Sequence, residues 1–149
     1  MLIRNAEKKD IQFIVEMIAD DKLGAQREDY KLPLPQVYLD AFANIFEDAN
    51  QELMVVDLDE KVIGCFQLSF IQYLTYQGGI RAQIEGVRIH TDFRSKGIGK
   101  QMFEWAIERS KERKAHVLQL TTDKKRPEAL KFYEDLGFKA SHEGMKLHF

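Results

Sequence analysis

Ile84-Glu85-Gly86-Val87-Arg88-Ile89-His90 runs directly into Thr91-Asp92-Phe93-Arg94-Ser95-Lys96-Gly97-Ile98-Gly99-Lys100. The run reads as a strand, then a turn rich in glycine and cations, then the start of a helix. Ile84, Val87 and Ile89 suit a half-buried strand. A helix that begins after such a turn presents unpaired backbone N–H groups and the positive end of its dipole. Gly97 and Gly99 let a ligand approach the main chain, and Arg94, Lys96 and Lys100 add mobile positive charge. The combination suits an anion with several oxygens, most simply a pyrophosphate.

Two better-known phosphate loops do not fit. A P-loop needs glycine, four residues, then Gly-Lys-Ser/Thr. Here Gly99-Lys100 is followed by Gln101, and Arg94 stands where the first glycine should be. The dinucleotide fingerprint needs a third glycine, and that position is Met102. What remains is Arg94-x-x-Gly97-x-Gly99 at a strand-to-helix junction.

This motif resembles the acetyl-CoA pyrophosphate loop of the Gcn5-related N-acetyltransferases, the GNAT superfamily. A second block strengthens the likeness: Arg126-Pro127-Glu128-Ala129-Leu130-Lys131-Phe132-Tyr133-Glu134-Asp135-Leu136-Gly137-Phe138. It is similar to the helix and following strand that close the family's fold. The two blocks stand in the family's order, and the resemblance covers essentially the whole chain. Thr121 to Arg126 and Ser141-His142-Glu143-Gly144 resemble a small-substrate subgroup that includes relatives of aminoalkylphosphonate acetyltransferases.

The resemblance implies a mixed α/β fold with a central, twisted, mostly antiparallel sheet and helices on both faces. It implies acetyl-CoA as co-substrate, and a primary amine of a small molecule as acceptor, attacking directly in a ternary complex. Carried onto this chain, the cofactor contacts are Arg94, Ser95, Lys96, Gly97, Ile98, Gly99 and Lys100 in the loop. The main chain of Val87, Arg88 and Ile89 joins them, with Arg126 reaching the phosphates or an anionic acceptor. A backbone N–H near Val87 or Arg88 would stabilise the oxyanion, if a local bulge frees it from the ladder. The family also admits a homodimer. The family's asparagine after the preceding strand is replaced here by Thr121-Thr122-Asp123.

Two side chains are candidates for proton transfer. Glu85, Val87 and Ile89 share one face of a regular strand, and apolar neighbours raise a carboxyl's affinity for protons. Glu85 is then a base, directly or through water, or else a bulge glutamate paired with Arg81 or Arg88. Tyr133 stands where the family often has a general acid for the departing sulfur. Its alternative is a core tyrosine at helical spacing with Ala129 and Leu136.

Composition bounds the remaining readings. The chain has 149 residues, 44% of them hydrophobic, which suits one domain spanning 1–149. Its single cysteine, Cys65, lies in a strand-like run and agrees with a reducing cytoplasm. No apolar run is long enough to span a membrane, and the N-terminus lacks a signal-peptide pattern. A net charge of −2 disfavours nucleic acid as partner. His90, His116, His142 and His148 make no metal-ligand spacing, so no metal is expected; His142-Glu143 is a minor candidate for lining the acceptor site.

The rest of the chain reads as a series of elements. Leu2-Ile3-Arg4 is a first strand. Asp10 caps a helix with an apolar stripe of Ile11, Ile14, Val15 and Ile18. Asp20 to Leu34 is a loop, and Pro35 opens a second helix that buries Tyr38, Ala41, Phe42 and Ile45. In the family these helices and their connection shape the acceptor pocket. A hairpin turns at Asp59-Glu60-Lys61 between Leu53–Asp57 and Val62–Tyr73. A helix from Ile98 to Arg113 packs Met102, Phe103, Ala106 and Ser110 on the sheet. Val117 to Thr121 is a strand, Pro127 opens the last helix, Gly137 caps it, and Phe138 to Phe149 supplies a last strand or two. A non-catalytic acyl-CoA sensor and a protein acetyltransferase are the competing functions.

Overall fold

The computed structural model describes residues 1–20 and 24–149, and everything below concerns those residues. The chain forms two compact units, Met1–Gln119 and Leu120–Phe149. In the first, strands β1 (Leu2–Asn5), β2 (Gln51–Leu58), β3 (Lys61–Gln72), β4 (Ile80–Ile89) and β5 (Ala115–Gln119) form one sheet in sequence order. The first three pairings are antiparallel and β4–β5 is parallel. Helices α1 (Ile11–Ala19), α2 (Gly24–Arg27), α3 (Gln36–Glu47), the single turn α4 (Thr75–Gly78) and α5 (Ile98–Glu112) complete this unit.

The β2–β3 hairpin turns where expected. Asp59 and Glu60 both have positive φ, 51° and 65°, the requirement of a two-residue type I′ turn. Two faces follow from the register. Val55 pairs with Cys65, and both join Ile11, Ile14, Val15 and Met17 of α1 in one buried cluster. Tyr38, Leu39 and Phe42 of α3 pack against the same cluster. On the opposite face the Phe66 ring meets Trp105 of α5 edge-on at 5.6 Å. Met102, Phe103, Ala106 and Ser110 of α5 are buried, as their spacing predicts. Helices therefore cover both faces of a mostly antiparallel sheet.

Several expectations need correction. Asp10 does not cap α1. Its backbone is already helical (φ −83°, ψ −17°), so its carboxylate turns back to accept from Glu7 N–H at 2.8 Å. It also binds Arg4 Nη1 at 2.6 Å, and Arg4 reaches Asp57 at 3.0 Å. In α3, Tyr38, Phe42 and Ile45 are half-buried and Ala41 is exposed, because the helix meets β2 and α1 along one narrow stripe. The segment expected as a loop contains α2; residues 21–23 lie outside the described residues.

The turn before β4 is unusual. Tyr76 (φ 54°), Gln77 (φ 58°) and Gly78 (φ 75°) are consecutive left-handed residues. Gly78 N–H and Gly79 N–H close the turn onto Leu74 and Thr75 carbonyls at 3.0 and 3.1 Å. Each non-glycine residue held this way costs roughly 1–2 kcal/mol.

The second unit contains α6 (Pro127–Asp135), which starts with proline in its first turn. It ends in a Schellman motif, with Phe138 N–H on Tyr133 O at 3.0 Å, Gly137 N–H on Glu134 O at 2.9 Å and Gly137 at φ 93°. The expected strand after Phe138 does not form. Met145, Leu147 and Phe149 alternate as a strand would, yet all are exposed, and no ladder among the described residues engages them. Alternation supplies a face but no partner.

Two carboxylates tie the first unit together. Burial works against ionising Asp10, but its hydrogen bonds from Arg4 and Glu7 N–H outweigh that and hold its carboxyl below the usual range. Burial opposes ionised Glu52 in the same way, and Arg109 and Arg113 overcome it. Folded-state values below unfolded ones mean stability is present above the ordinary carboxylate range and lost as pH falls through the folded values. Urea unfolding should therefore show stability declining below about pH 4. Arg4→Met should cost about 2–3 kcal/mol at neutral pH, by leaving the buried Asp10 carboxylate short of its main partner.

Candidate active site

The site is built on β4. Its register against β3 contains one extra residue: Cys65 pairs with Arg88 and Gln67 with Glu85, so two β4 residues oppose Phe66 alone. Gly86 carries this bulge at φ 62°, a conformation glycine adopts without strain. The consequence is a change of parity. Residues directly opposite share a face. Glu85 therefore lies on the face of Gln67 and Cys65, whereas Ile89, opposite Gly64, lies on the α5 face. The expected sharing of one face by Glu85, Val87 and Ile89 is corrected by the bulge.

Glu85 is exposed rather than set among apolar groups. It forms neither of the expected pairs with Arg81 or Arg88. Instead Gln83 Nε2 donates to its Oε1 at 2.6 Å, and Gln119 Nε2 donates to Gln83 Oε1 at 2.7 Å. Gln67 Nε2 donates to Gln51 Oε1 at 2.7 Å on the same face. Gln51, Ser69, Gln83 and Gln119 form one continuous cross-strand row over β2 to β5. Sequence reasoning missed these amides. The signal was present in Arg81-x-Gln83-x-Glu85, a polar alternation with buried Ala82 and Ile84 between.

The far edge of β4 is open. Its pairing with β5 runs only from Ile80 to Gln83, and β5 ends at Gln119. No strand among the described residues pairs with Ile84 to Ile89 on that side. Cys65 lies beneath, with Sγ 3.8 Å from Gly86 O. Complete burial pushes its thiol up to about 12, so it is a packing group and not a nucleophile.

Beyond β4 the chain makes a short turn, Thr91–Phe93, and enters the glycine loop. Ser95 (φ 60°) and Gly97 (φ 76°) are left-handed, with Lys96 between them. Such alternation curls successive N–H groups into an anion-binding concavity. Gly97 precedes α5 without a side-chain cap. Gln101 N–H is bonded back to Gly97 O at 3.3 Å, which leaves the amides of Ile98, Gly99 and Lys100 in the unpaired first turn. Buried Ile98 anchors that turn.

The cations of the loop differ in freedom. Arg94 is not mobile: its Nε donates to Ile89 O at 3.1 Å and its Nη2 lies 3.5 Å from Asp20. Lys96 sits over the Phe93 ring at 5.0 Å, and Lys100 lies 3.7 Å from Glu104. All three side chains are exposed. The structure thus gathers Glu85, Val87, Arg88, Ile89 and residues 94–100 along one strand and its outlet. Tyr133 and Arg126 belong to the second unit. There Tyr133 is half-buried, with Phe132 and Phe138 rings at 5.6 and 6.2 Å, and Arg126 precedes α6.

Comparison with known proteins gives the family and the fold. Residues 16–138 match the Acetyltransferase (GNAT) family. The aminoalkylphosphonate N-acetyltransferase of Salmonella typhimurium is 27% identical over 140 residues, covering 94% of this chain and 86% of that protein. A crystal structure of a transcriptional regulator from Bacillus halodurans C-125 is 56% identical, with a TM-score of 0.97 over 99% of both chains. A predicted acetyltransferase with acetyl-CoA from Clostridium acetobutylicum shares the fold at a TM-score of 0.76 and 21% identity, over 99% of this chain and 95% of that one. The chain belongs to the Acetyltransferase (GNAT) family of acyltransferases.

Proposed function

We propose that this protein transfers the acetyl group of acetyl-CoA to the primary amine of a small molecule, by direct attack in a ternary complex. The observation that carries the reading is that β4 alone presents an exposed carboxylate, a bulge, an open backbone edge and a terminal amide nest. The Salmonella relative's name, an N-acetyltransferase of a small amine, supports the acceptor class.

In this reading the amides of residues 95–100 hold the pyrophosphate, with Arg94, Lys96 and Lys100 adding positive charge. Pantetheine pairs with the open β4 edge at Val87, Arg88 and Ile89, and an N–H near Val87 or Arg88 meets the carbonyl oxygen. The amine lone pair forms the new C–N bond and the C–S bond breaks. Glu85 receives the amine proton, directly or through water. Tyr133, carried over from the family pattern, donates to the departing sulfur. Arg126 is assigned to the phosphates or an anionic acceptor on its cationic chemistry alone. Cys65, the single cysteine, is too buried and too weakly acidic to carry an acyl group, which favours direct transfer. An α-amine titrates near 8 and a lysine amine near 10.4, so the base matters more for lysine-like acceptors.

A second reading, in which the chain uses bound acyl-CoA as a regulatory signal, draws on the name of the 56% identical Bacillus halodurans protein. Amine-dependent thiol release across a panel of amines separates the two, since a sensor binds coenzyme A and releases no thiol.

Glu85→Gln should lower kcat/KM by about 10²–10⁴-fold and remove the acidic limb of its pH profile. An unchanged rate and profile would eliminate Glu85. Gly97→Val forces a branched residue to φ 76°. Calorimetry should show affinity for coenzyme A falling by at least about tenfold, roughly the 1–2 kcal/mol of a left-handed side chain; unaltered affinity would remove the nest from the mechanism.

A further inference from the structure

The amides on the face of Glu85 carry a direction. An ionised carboxylate only accepts hydrogen bonds, so an amide bonded to it must present its nitrogen. Gln83 Nε2 therefore faces Glu85 Oε1, and Gln83 Oε1 is left to accept from Gln119 Nε2 at 2.7 Å. A second chain starts from Asp48. Its Oδ2 accepts from Gln51 Nε2 at 2.9 Å, and its Oδ1 accepts from Asn50 N–H at 2.8 Å. Those two bonds hold the Asp48 carboxyl below its ordinary range. Gln51 must then offer Oε1 onward, and Gln67 Nε2 donates to it at 2.7 Å. This leaves Gln67 with its carbonyl oxygen, Oε1, which accepts from no group among the described residues and is not sealed from solvent.

Register brings that oxygen to Glu85. Gln67 on β3 stands directly opposite Glu85 on β4. Residues so placed share a face, with Cβ atoms roughly 5 Å apart. Gln83 occupies Oε1 of Glu85, and Oε2 has no partner among the described residues. Two unfilled acceptor oxygens, one from each strand, match a nitrogen that carries two hydrogens.

We propose that Gln67 is a specificity-determining residue for the acceptor: its Oε1 and the free oxygen of Glu85 accept the two N–H groups of a primary amine, so the site selects primary over secondary amines. This rests on the acetyl-transfer reading above, with Glu85 as base. The amine lone pair forms the C–N bond, and the sulfur leaves with the electrons of the C–S bond. One N–H proton passes to Glu85. The other stays on nitrogen as the N–H of the product amide, and Gln67 Oε1 accepts from it throughout. A secondary amine has a single N–H. Giving that hydrogen to Glu85 turns its second alkyl group against Gln67 Oε1 and leaves the carbonyl without a donor.

The test compares two matched pairs by thiol release, propylamine with N-methylpropylamine and glycinamide with sarcosinamide. The native protein should favour the primary member of the faster pair by at least about tenfold in kcat/KM, the scale of a lost hydrogen bond whose partner stays unpaired. Gln67→Met keeps the side chain's length and removes the acceptor, and the ratio should fall to within about threefold. A merely structural role for Gln67 would slow both members alike and leave the ratio where it was. Coenzyme A calorimetry reports whether the variant is folded. If it is not, Gln51→Met decides, because Gln67 then loses the acceptor that aims its amide and the ratio should fall at least about threefold. No preference for the primary amine in the native protein, a ratio that survives Gln67→Met, or, where that variant is unfolded, a ratio that survives Gln51→Met overturns the proposal. Absence of thiol release with all four amines overturns the acetyl-transfer reading itself, a different result from turnover that ignores the second N–H.

Discussion

One additional residue in β4, accommodated by the positive φ of Gly86, governs the arrangement of the candidate site. A regular ladder would put Glu85 and Ile89 on the same face, and one of them would then face the wrong layer. With the bulge, Ile84 and Ile89 both face the α5 layer, while Glu85 and Arg88 both face the side of α1 and α3. The same short span lies beyond the end of β5, so among the described residues no second strand pairs with it on that side. Backbone groups released from a ladder need a partner, and an extended amide-bearing ligand such as pantetheine is a chemically matched one.

Charge is distributed in two distinct ways. The ion pairs that knit the first unit, Arg4 with Asp10 and Asp57, and Glu52 with Arg109 and Arg113, join β1, β2 and the helices away from the site. The face bearing Glu85 is organised by neutral amides instead. Gln119 donates to Gln83, and Gln83 donates to Glu85. Cys65, under the bulge, contributes packing and no chemistry.

Element order, the hairpin at Asp59-Glu60, the buried stripe of α5 and the glycine-bearing outlet of β4 were all legible in the chain, because each depends on local periodicity or local turn chemistry. The failures have specific causes. Asp10 carries a capping residue's signature, yet Arg4 on β1 and the Glu7 N–H claim its carboxylate. Met145, Leu147 and Phe149 alternate correctly but find no ladder. Arg94 looks like a free cation in the sequence, and its tie to Asp20 joins residues far apart in the chain.

The sequence by itself determined the five strands and the longer helices in outline and the composition of the loop, since propensity, periodicity and glycine placement act over a few residues. Only the tertiary structure decided which face Glu85 occupies, that Gln83 donates to it and Gln119 to Gln83, and that among the described residues β5 pairs with β4 no further than Gln83. Those outcomes depend on register and strand length across the sheet. They are set by which strands meet, and no local stretch of sequence encodes that meeting.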